Sequence, residues 1–457
     1  MKRQAVCNEK QENTKRICRL DAPTKLNEQQ QKIFDYVTQQ PCFEPIFVSG
    51  SAGTGKSALL KSLRTHWISH KKVVWVVSYT NLAARNVDGQ TIHKLFGFDF
   101  KCNLSGGEGN KYAGAPNYFI LDEVSMVPAK MLQNIHMFLQ QNTRLDLPFG
   151  GVNTIIFGDL YQLPPISNQQ CHQLPPYCAD IWKSLRLYHL TINMRQSESD
   201  FIEALNLLRV GDKKCLDFFD RKVMDHSVTI EDQFQCTSLV PTHREADYIN
   251  SKCYAHIKTI SEIPVVEYIL KLSVRRESKR MHLMVYGAGQ EELIFRDKLK
   301  YCVGTRVMIT HNLKGLPFCN GDIGTVVDIN EIGVLVKREC DGLQERIGMV
   351  EIAFETEKYN TVKVVTGLPM CYAWAVTIHK AQGMTVKNLI VHPLNIFAKG
   401  QAYVALSRVT HCEGLRLVNK IPVDCVMKMS DVDKVYATQN LLDVDINEFE
   451  DEFEHDL

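Results

Sequence analysis

Long apolar runs, paired cysteines and a large net charge are all missing from this sequence of 457 residues. No apolar run approaches the length of a membrane span, and no apolar segment near the N-terminus resembles a secretory signal. The 15 cysteines include no Cys-x-x-Cys pair, which argues against a disulfide framework and a zinc ribbon. We therefore expect an intracellular protein with reduced cysteines and no membrane contact.

The charge is balanced overall but unevenly distributed. Eight of the 52 acidic residues lie in residues 441–457, which contain no Lys or Arg, so the rest of the chain has 53 basic residues against 44 acidic ones. A basic body suits a polyanionic partner, and we expect residues 441–457 to form a disordered acidic tail. Residues 1–24 are polar, lack apolar periodicity and are predicted to be a flexible basic arm.

A glycine-rich segment after the apolar run Ile46 to Val48 matches the pattern G-x-x-x-x-G-K-[ST] and leads into a helical pattern. Glycines at these positions let backbone N–H groups turn toward phosphate oxygens, in front of the positive end of a helix. In this pattern the lysine reaches the β- and γ-phosphates and the hydroxyl holds Mg²⁺, so we predict an NTPase. The segment consists of Gly50, Ser51, Ala52, Gly53, Thr54, Gly55, Lys56 and Ser57.

Polar residues follow two further apolar runs. Asp122 and Glu123 come directly after Tyr118 to Leu121, where the first carboxylate would anchor Mg²⁺ and the second would polarise an attacking water. Gln162 follows the next run, which places its amide near the γ-phosphate. Gln30, upstream of the glycine-rich segment, suits either the edge of an adenine or the protein surface. The alternative for the acidic pair is simple exposure at a strand end.

Apolar runs of strand length alternate with helical patterns in two parts of the chain, which predicts an α/β protein with parallel sheets. We expect a nucleotide-binding lobe over 25–190 and a second lobe over 191–440. Between the second lobe's strands, residues 303–368 form short apolar segments punctuated by Asn320-Gly321-Asp322 and Gly333, which predicts a small inserted antiparallel barrel.

Six segments, taken in order, strongly resemble the petite integration frequency (PIF) family of DNA helicases, which belong to superfamily 1B and are relatives of RecD. They are Gly50 to Ser57, Leu121 to Val127, Gly158 to Pro165, Met194 to Gln196, Ala375 to Thr385 and Tyr403 to Arg408. The resemblance implies two RecA-like lobes with a small inserted β-barrel. It also implies ATP and Mg²⁺ as cofactors, 5′ to 3′ movement on single-stranded DNA, unwinding of duplex or forked DNA, and a role in replication, repair or recombination.

The resemblance also implies roles for individual residues. Gln30 would read adenine, Asp122 would hold the metal, and Glu123 would act as the base. Gln162 would sense the γ-phosphate, and Arg195 and Arg408 would be arginine fingers. Gln382 and Gly383 would link the nucleotide cleft to the bound DNA strand. The residues implied on the DNA-binding face are Thr80, Asn81, Thr91, His93, Thr377, His379 and Lys380.

Several alternatives stay open from the sequence. Each residue of the DNA-binding set also suits a helix cap or a partner for a buried amide, and Phe96, Phe98 and Phe100 suit a stacking platform or the core. A wedge subdomain is expected over 97–116, with a surface loop as the alternative. The acidic tail suits replication or repair proteins, and basic pairs in the N-terminal arm favour the nucleus, or a host nucleus for a viral protein, over the mitochondrion. Other functions are an RNA helicase, a translocase or a P-loop ATPase of another kind.

Overall fold

The computed structural model describes residues 25–98, 102–103, 114–166, 173–260, 266–268, 270–276, 285–286, 294–295, 299–313, 315–356 and 361–444. The predicted arm over 1–24, most of the wedge region over 97–116 and the tail beyond residue 444 lie outside these residues. Within them, no helix combines the length and apolar character needed to cross a membrane.

Six strands form the sheet of the first lobe: β1 (Ile46–Gly50), β2 (Val74–Ser78), β3 (Gln90–Thr91), β4 (Tyr118–Asp122), β5 (Asn153–Gly158) and β6 (Arg186–Leu190). Their order is β3-β2-β4-β5-β1-β6, and every pair is parallel. Strands β1, β4 and β5 are buried along their whole length, as expected for a parallel sheet covered on both faces. Their carboxyl ends meet at one edge, where Gly50, Asp122 and Gly158 lie.

Helices cover both faces of this sheet: α1 (Glu28–Gln39), α2 (Lys56–Ser69), α3 (Asn81–Asn86), α4 (Ile92–Phe96) and α5 (Ala129–Thr143). Successive residues of a strand point to opposite faces, so Phe47 belongs to one apolar cluster and Val48 to another. Phe96 and Phe98 are buried in the first of these clusters, which confirms the core alternative for both. Phe100 lies outside the described residues.

The second lobe begins with α6 (Ser199–Val210), α7 (Leu216–Asp220), α8 (Ile230–Gln235), β7 (Thr237–Val240) and α9 (His243–Ile260). Helix α6 is amphipathic, and its buried Phe201, Leu205 and Leu208 pack in the core of this lobe. Gly211, with φ of 78°, ends the helix in the left-handed conformation that glycine adopts without strain. The chain then leaves the parallel sheet after α9.

The insertion consists mainly of antiparallel strands. They are β8 (Val266–Glu267), β9 (Lys271–Arg276), β10 (Val285–Tyr286), β11 (Lys300–Tyr301), β12 (Arg306–Ile309), β13 (Ile323–Asn330), β14 (Gly333–Arg338), β15 (Gln344–Ile347), β16 (Val350–Glu355), β17 (Thr361–Gly367) and β18 (Met370–Tyr372). One sheet has the antiparallel order β15-β14-β13-β12-β18, and another has the order β10-β16-β17-β9. The strands extend beyond the expected bounds 303–368. The sequence did not reveal β9, because its Leu272 and Val274 are exposed and no alternation of apolar and polar residues marks a buried face.

The chain returns to the second lobe at β19 (Ala375–Thr377), β20 (Leu389–Val391), α10 (Gln401–Leu406) and β21 (Leu415–Leu417). These strands join β7 in a parallel sheet of order β19-β7-β20-β21. The two parallel sheets with the inserted antiparallel strands confirm the predicted α/β class.

Within the described residues, the chain crosses between the lobes at two places. The first crossing is the segment 191–198, and the second follows Val426, which is buried in the second lobe. Helix α11 (Ser430–Thr438) then packs on the first lobe through Met429 and Val432. Leu187 of β6 donates to Asn440 O at 2.7 Å and accepts from Leu442 N at 2.8 Å. Residues 429–444 thus lie on the first lobe, whereas the sequence placed them in the second lobe and the tail.

Candidate active site

The glycine-rich segment forms a tight turn between β1 and the N-terminus of α2. Gly53 and Gly55 have φ values of 92° and 77°, in the region that favours glycine. A Cβ atom at Gly53 would lie 2.7 Å from Asn193 Oδ1 and 2.9 Å from Arg195 Cβ, so glycine also allows the first crossing to approach. Met194 N donates to Gly53 O at 2.8 Å. The segment that carries Arg195 therefore packs against this turn and holds it in place.

Lys56 is buried within this turn, with 9% of its surface exposed. Its ammonium donates to Gly50 O at 2.7 Å and Ser51 O at 3.0 Å, both neutral acceptors. Burial lowers the pKa of Lys56, and the carboxylates of Asp159, Glu123 and Asp122 act in the opposite direction. A buried ammonium with neutral partners gains strongly from an incoming anion such as a phosphate.

The acidic pair stands at the end of β4. Asp122 is 3% exposed, and burial together with the neighbouring Glu123 raises the pKa of Asp122 to about 7. Glu123 has φ of 54° and ψ of 49°, a left-handed conformation that is uncommon for a residue with a side chain and often marks a functional position. Its carboxylate accepts a hydrogen bond from Gln382 Nε2 of the second lobe.

Arg195 and Arg408 approach the same space from the other side. Arg195 donates to Ser407 O at 3.1 Å, and Arg408 donates to Val404 O and Ser407 Oγ, each at 2.8 Å. All these acceptors are neutral. Burial and the nearby charge of Arg195 lower the pKa of Arg408 to about 10. A half-buried and a buried guanidinium group that repel each other favour binding of an anion between them.

A cavity of about 240 Å³ lies between the lobes and is lined by the groups described above. The lining includes residues on which the sequence analysis placed a role: Ala52, Gly53, Gly55, Lys56, Ser57, Asp122, Glu123, Gln162, Arg195, Gly383 and Arg408. Gly50, Ser51 and Thr54 lie in the same turn. Ala58, Ala83, Asn86 and Met194 also line the cavity and were not predicted. Asn86 Nδ2 donates to Gly383 O at 3.2 Å across the lobes, and no sequence pattern marks it.

Gln30 and Gln162 are both buried. Gln30 has no exposed surface, which excludes the surface alternative, and its amide donates to Thr54 O at 3.1 Å and Gly55 O at 3.2 Å. It therefore supports the backbone of the glycine-rich turn. Gln162 is 2% exposed, and its Oε1 atom has no hydrogen-bond partner among the described residues. An unpaired buried amide oxygen at a cavity wall is available to a ligand or water.

The residues expected to contact DNA fall into two groups, one on each lobe. On the first lobe, the hydroxyls of Thr80 and Thr91 cap α3 and α4 by accepting from Ala83 N and Lys94 N. These contacts agree with the capping alternative for both threonines. Asn81 accepts from Asn312 Nδ2 of the insertion at 2.7 Å.

Histidines occur in both groups, each beside an aromatic ring. His93 packs edge-on against Tyr79, with ring centroids 5.5 Å apart, and His379 stacks on the exposed Phe397 at 6.1 Å. Burial lowers the pKa of both histidines. Lys380 is half-buried. Thr377 is 3% exposed, and its hydroxyl has no hydrogen-bond partner within the described part of the chain.

Two parallel-sheet lobes that enclose a phosphate-binding turn, an acidic pair and two arginines define a two-lobe NTPase of the RecA-like class. A family model described as PIF1-like helicase matches residues 25–216. The ATP-dependent DNA helicase Pif1 of Bdellovibrio bacteriovorus is 28% identical over 395 residues, which cover 83% of this chain and 85% of that protein. The ATP-dependent DNA helicase PIF1 of Rattus norvegicus is 30% identical over 440 residues, covering 91% of this chain and 64% of that protein.

Solved structures agree with these relatives and cover a similar share of the chain. Pif1 helicase from Bacteroides in complex with ADP-AlF3 and single-stranded DNA has a TM-score of 0.74 and 27% identity, covering 91% of this chain and 98% of that one. Pif1 helicase from Candida albicans has a TM-score of 0.73 at 27% identity, covering 91% of this chain and 99% of that one. The family model over residues 25–216, these relatives and these structures confirm the resemblance to PIF1-like helicases seen in the sequence.

Proposed function

We propose that this chain is an ATP-dependent DNA helicase that moves 5′ to 3′ on single-stranded DNA and opens duplex or structured DNA. One observation carries the ATPase part: Lys56, Glu123, Arg195 and Arg408 come from four separate segments and line one cavity between the lobes. The match to the family supports action on DNA, as does the likeness to a Bacteroides Pif1 structure bound to single-stranded DNA. The direction of movement and a role in replication, repair or recombination are proposed from the family resemblance.

The nucleotide would bind at the glycine-rich turn. Backbone N–H groups of Gly50 to Ser57 and the N-terminus of the 14-residue helix α2 would hold its phosphates, together with the Lys56 ammonium. Gln30 would support the turn and contact the adenine edge. Met194 Sδ lies 3.3 Å from the Gln30 amide, so this methionine would lie near the base as well.

Ser57 and Asp122 would hold Mg²⁺, which supplies positive charge to the phosphates. These residues fit a cation, because Asp122 is a buried carboxylate beside a second one and, within the described part of the chain, accepts only a backbone hydrogen bond from Glu123 N, at 2.9 Å. Among the described residues, no three His, Cys, Asp or Glu side chains cluster as a metal site. The phosphates of the nucleotide would therefore have to complete the coordination.

Hydrolysis would use residues from both lobes. Glu123 would orient and polarise the attacking water, and Gln162, with its free amide oxygen, would sense the γ-phosphate. Arg195 and Arg408 would neutralise the charge that develops on the γ-phosphate. Since Arg408 belongs to the second lobe and the acidic pair to the first, closure of the lobes would bring both onto the substrate.

Single-stranded DNA would lie across both lobes, where hydroxyl, imidazole and ammonium groups hold phosphates without reading the sequence. The proposed contacts are Thr80, Asn81, Thr91, His93, Thr377, His379 and Lys380. Closure and opening of the cleft would change the distance between the two groups of contacts. Alternating grip by the two lobes would then turn each hydrolysis cycle into a step along the strand.

The direct test is unwinding of two labelled partial duplexes, one with a 5′ single-stranded tail and one with a 3′ tail. Selective, ATP- and Mg²⁺-dependent opening of the 5′-tailed substrate is the expected result, and Lys56→Ala is the control that should open neither. A preference for the 3′ tail would contradict the proposed direction. Stimulation of ATP hydrolysis by DNA without any unwinding would indicate a translocase.

Two further comparisons separate the other candidates. ATP hydrolysis stimulated more by an RNA strand than by a DNA strand of the same sequence would indicate an RNA helicase. Hydrolysis indifferent to both strands would indicate a P-loop ATPase of another kind. We also propose that the acidic tail binds replication or repair proteins and that the basic pairs Lys2-Arg3 and Lys15-Arg16 direct the chain to a nucleus, although both segments lie outside the described residues.

A further inference from the structure

An ion pair joins the lobes behind the nucleotide cavity. Asp159 follows β5 of the first lobe, and Arg209 lies in the last turn of α6 of the second lobe. Arg209 Nε donates to both carboxylate oxygens at 3.0 Å, and Arg209 Nη2 donates to Oδ1 at 2.8 Å. Asp159 has no exposed surface. Such a fork-shaped contact fixes orientation as well as distance, which a lysine cannot do.

Aromatic side chains enclose this ion pair. The Arg209 guanidinium lies 4.4 Å from the centre of the Tyr161 ring, and Tyr161 stacks on Tyr436 of α11 with ring centroids 5.4 Å apart. The Tyr436 hydroxyl in turn contacts Ser49 Oγ at 2.7 Å and accepts from Leu160 N at 3.2 Å. Although burial alone would lower it, the Asp159 carboxylate raises the pKa of Arg209. The half-buried Arg209 guanidinium therefore keeps its charge beside a carboxylate that has no exposed surface.

Asp159 also organises the turn that contains Gln162. Its Oδ1 atom accepts from Tyr161 N at 3.2 Å, and its backbone oxygen accepts from Gln162 N at 3.0 Å. The Gln162 side chain lines the nucleotide cavity, only three residues from Asp159. The orientation of Asp159 thus sets the position of Gln162, and Arg209 sets the orientation of Asp159.

Asp159 also contacts the phosphate-binding turn through Tyr403. Its Oδ2 atom accepts a hydrogen bond from the Tyr403 hydroxyl at 3.3 Å, and that hydroxyl accepts from Ala52 N at 2.7 Å. Without Arg209, this buried carboxylate would lose the cation that pairs with it, one side chain away from the phosphate-binding turn.

We propose that Arg209 is a positioning residue for ATP hydrolysis. Through Asp159 it fixes the turn that carries Gln162, and it pairs with a buried carboxylate that also contacts the phosphate-binding turn through Tyr403. This inference rests on the ATPase activity proposed above. It assigns a role in the first lobe's chemistry to a residue of the second lobe that does not line the cavity.

The test compares full-length Arg209→Ala, Arg209→Lys, Asp159→Asn and the double variant Asp159→Asn/Arg209→Gln with the unchanged chain. Three quantities are measured for each: thermal unfolding without nucleotide, affinity for a fluorescent ATP analogue with Mg²⁺, and kcat and KM for ATP with an oligo-dT strand. Arg416→Ala is the matched control, because Arg416 is a second-lobe arginine that donates to Cys236 and lies outside the cavity.

Arg209→Ala should lower kcat about tenfold or more in the folded fraction and weaken nucleotide affinity, and Arg209→Lys should fall between it and the unchanged chain. The double variant should bind nucleotide within about threefold of the unchanged chain, because neither charge remains and the Asn–Gln pair can still hydrogen-bond. Arg416→Ala should leave both quantities unchanged.

Two results would overturn the inference. One is a folded Arg209→Ala or Arg209→Lys variant with unaltered kcat and nucleotide affinity, which would make the pair purely structural. The other is a double variant that binds nucleotide no better than Arg209→Ala or, where Arg209→Ala does not fold, a double variant that binds nucleotide well over about threefold more weakly than the unchanged chain. An unchanged chain that hydrolyses no ATP would instead contradict the proposed function itself.

Discussion

The side-chain amide of Gln382 donates a hydrogen bond of 3.3 Å to the carboxylate of Glu123, which joins a turn of the second lobe to the acidic pair of the first. Gln382 is 2% exposed and ends the turn that also carries His379 and Lys380. The expected DNA contacts and the expected catalytic base are therefore only one side chain apart. A DNA strand that shifts this turn would also shift the Gln382 amide that holds Glu123.

This relationship predicts that Gln382→Ala weakens the stimulation of ATP hydrolysis by DNA. Loss of the amide leaves Glu123 without its second-lobe donor, so we expect DNA-stimulated kcat to fall about tenfold, with a smaller effect on hydrolysis without DNA. The measurement is the ratio of ATPase rates with and without an oligo-dT strand. Gln344→Ala, at an exposed position of β15, is the control. An unaltered ratio in Gln382→Ala would show that the contact transmits nothing.

Hydrolysis and DNA binding should separate at the nucleotide site. Lys56→Ala removes the phosphate-binding ammonium and Glu123→Gln removes the base, so each should lower kcat by about 100-fold or more. Neither side chain is among the proposed DNA contacts, so affinity for single-stranded DNA, measured by fluorescence anisotropy, should stay within about threefold. DNA-stimulated ATP hydrolysis by Lys56→Ala would mean that the nucleotide site is wrongly assigned.

Arg408 should matter more for hydrolysis than for binding. If it neutralises charge that develops only during reaction, Arg408→Ala should lower kcat by about 1,000-fold and change nucleotide affinity by less than about tenfold. Comparison of the Kd for a fluorescent ATP analogue with steady-state kcat separates the two effects. Equal losses in both would indicate that Arg408 only binds the nucleotide, and Arg416→Ala again serves as the control.

The two histidines predict that DNA affinity rises as pH falls. Burial holds the pKa of His93 and of His379 below its ordinary value of 6.5, so both are neutral near pH 7 in the absence of DNA. Phosphate contacts favour the imidazolium, so binding takes up protons, and affinity should rise about threefold per histidine between pH 7.5 and pH 5.5. Without DNA, a lower pH has the opposite effect on the stability of the fold. The unfolded chain binds protons on these histidines more readily than the folded chain does, so stability decreases as the pH falls below about 6.5.

Titration of single-stranded DNA binding against pH in His93→Gln and His379→Gln is the measurement. Each variant should have a shallower dependence than the unchanged chain. His226→Gln is the control, because His226 is exposed and pairs with Asp225 outside the proposed DNA face. The same slope in all four proteins would exclude both histidines as phosphate contacts.

Much of the fold was predictable because it depends on local patterns. The apolar runs that became β1, β2, β4 and β5 are continuous, as strands buried on both faces must be. The residues at their carboxyl ends could be assigned to one edge of a sheet by the rules of parallel topology. The turn from Gly50 to Ser57 was equally clear, because its chemistry lies in eight consecutive residues.

The rest depends on contacts between distant residues. Arg209 is a single arginine near the end of a helix, and nothing in its neighbourhood indicates that Asp159, 50 residues earlier, is its partner. Tyr436 is separated from Ser49 by 387 positions. The return of α11 to the first lobe is likewise invisible in a short amphipathic segment. The hydroxyls of Thr80 and Thr91 suited two roles, and only the structure shows both as helix caps.

The two crossings between the lobes have a mechanical consequence. Two bodies connected at one point can tilt in any direction, whereas bodies connected at two separate points can only turn about the line that joins them. One connection runs beneath the phosphate-binding turn at Met194, and the other passes Gly211 at Lys428, beside the end of α6. Rotation about this line is therefore the relative motion of the lobes that displaces neither connection, and opening and closing of the cleft would follow the same arc.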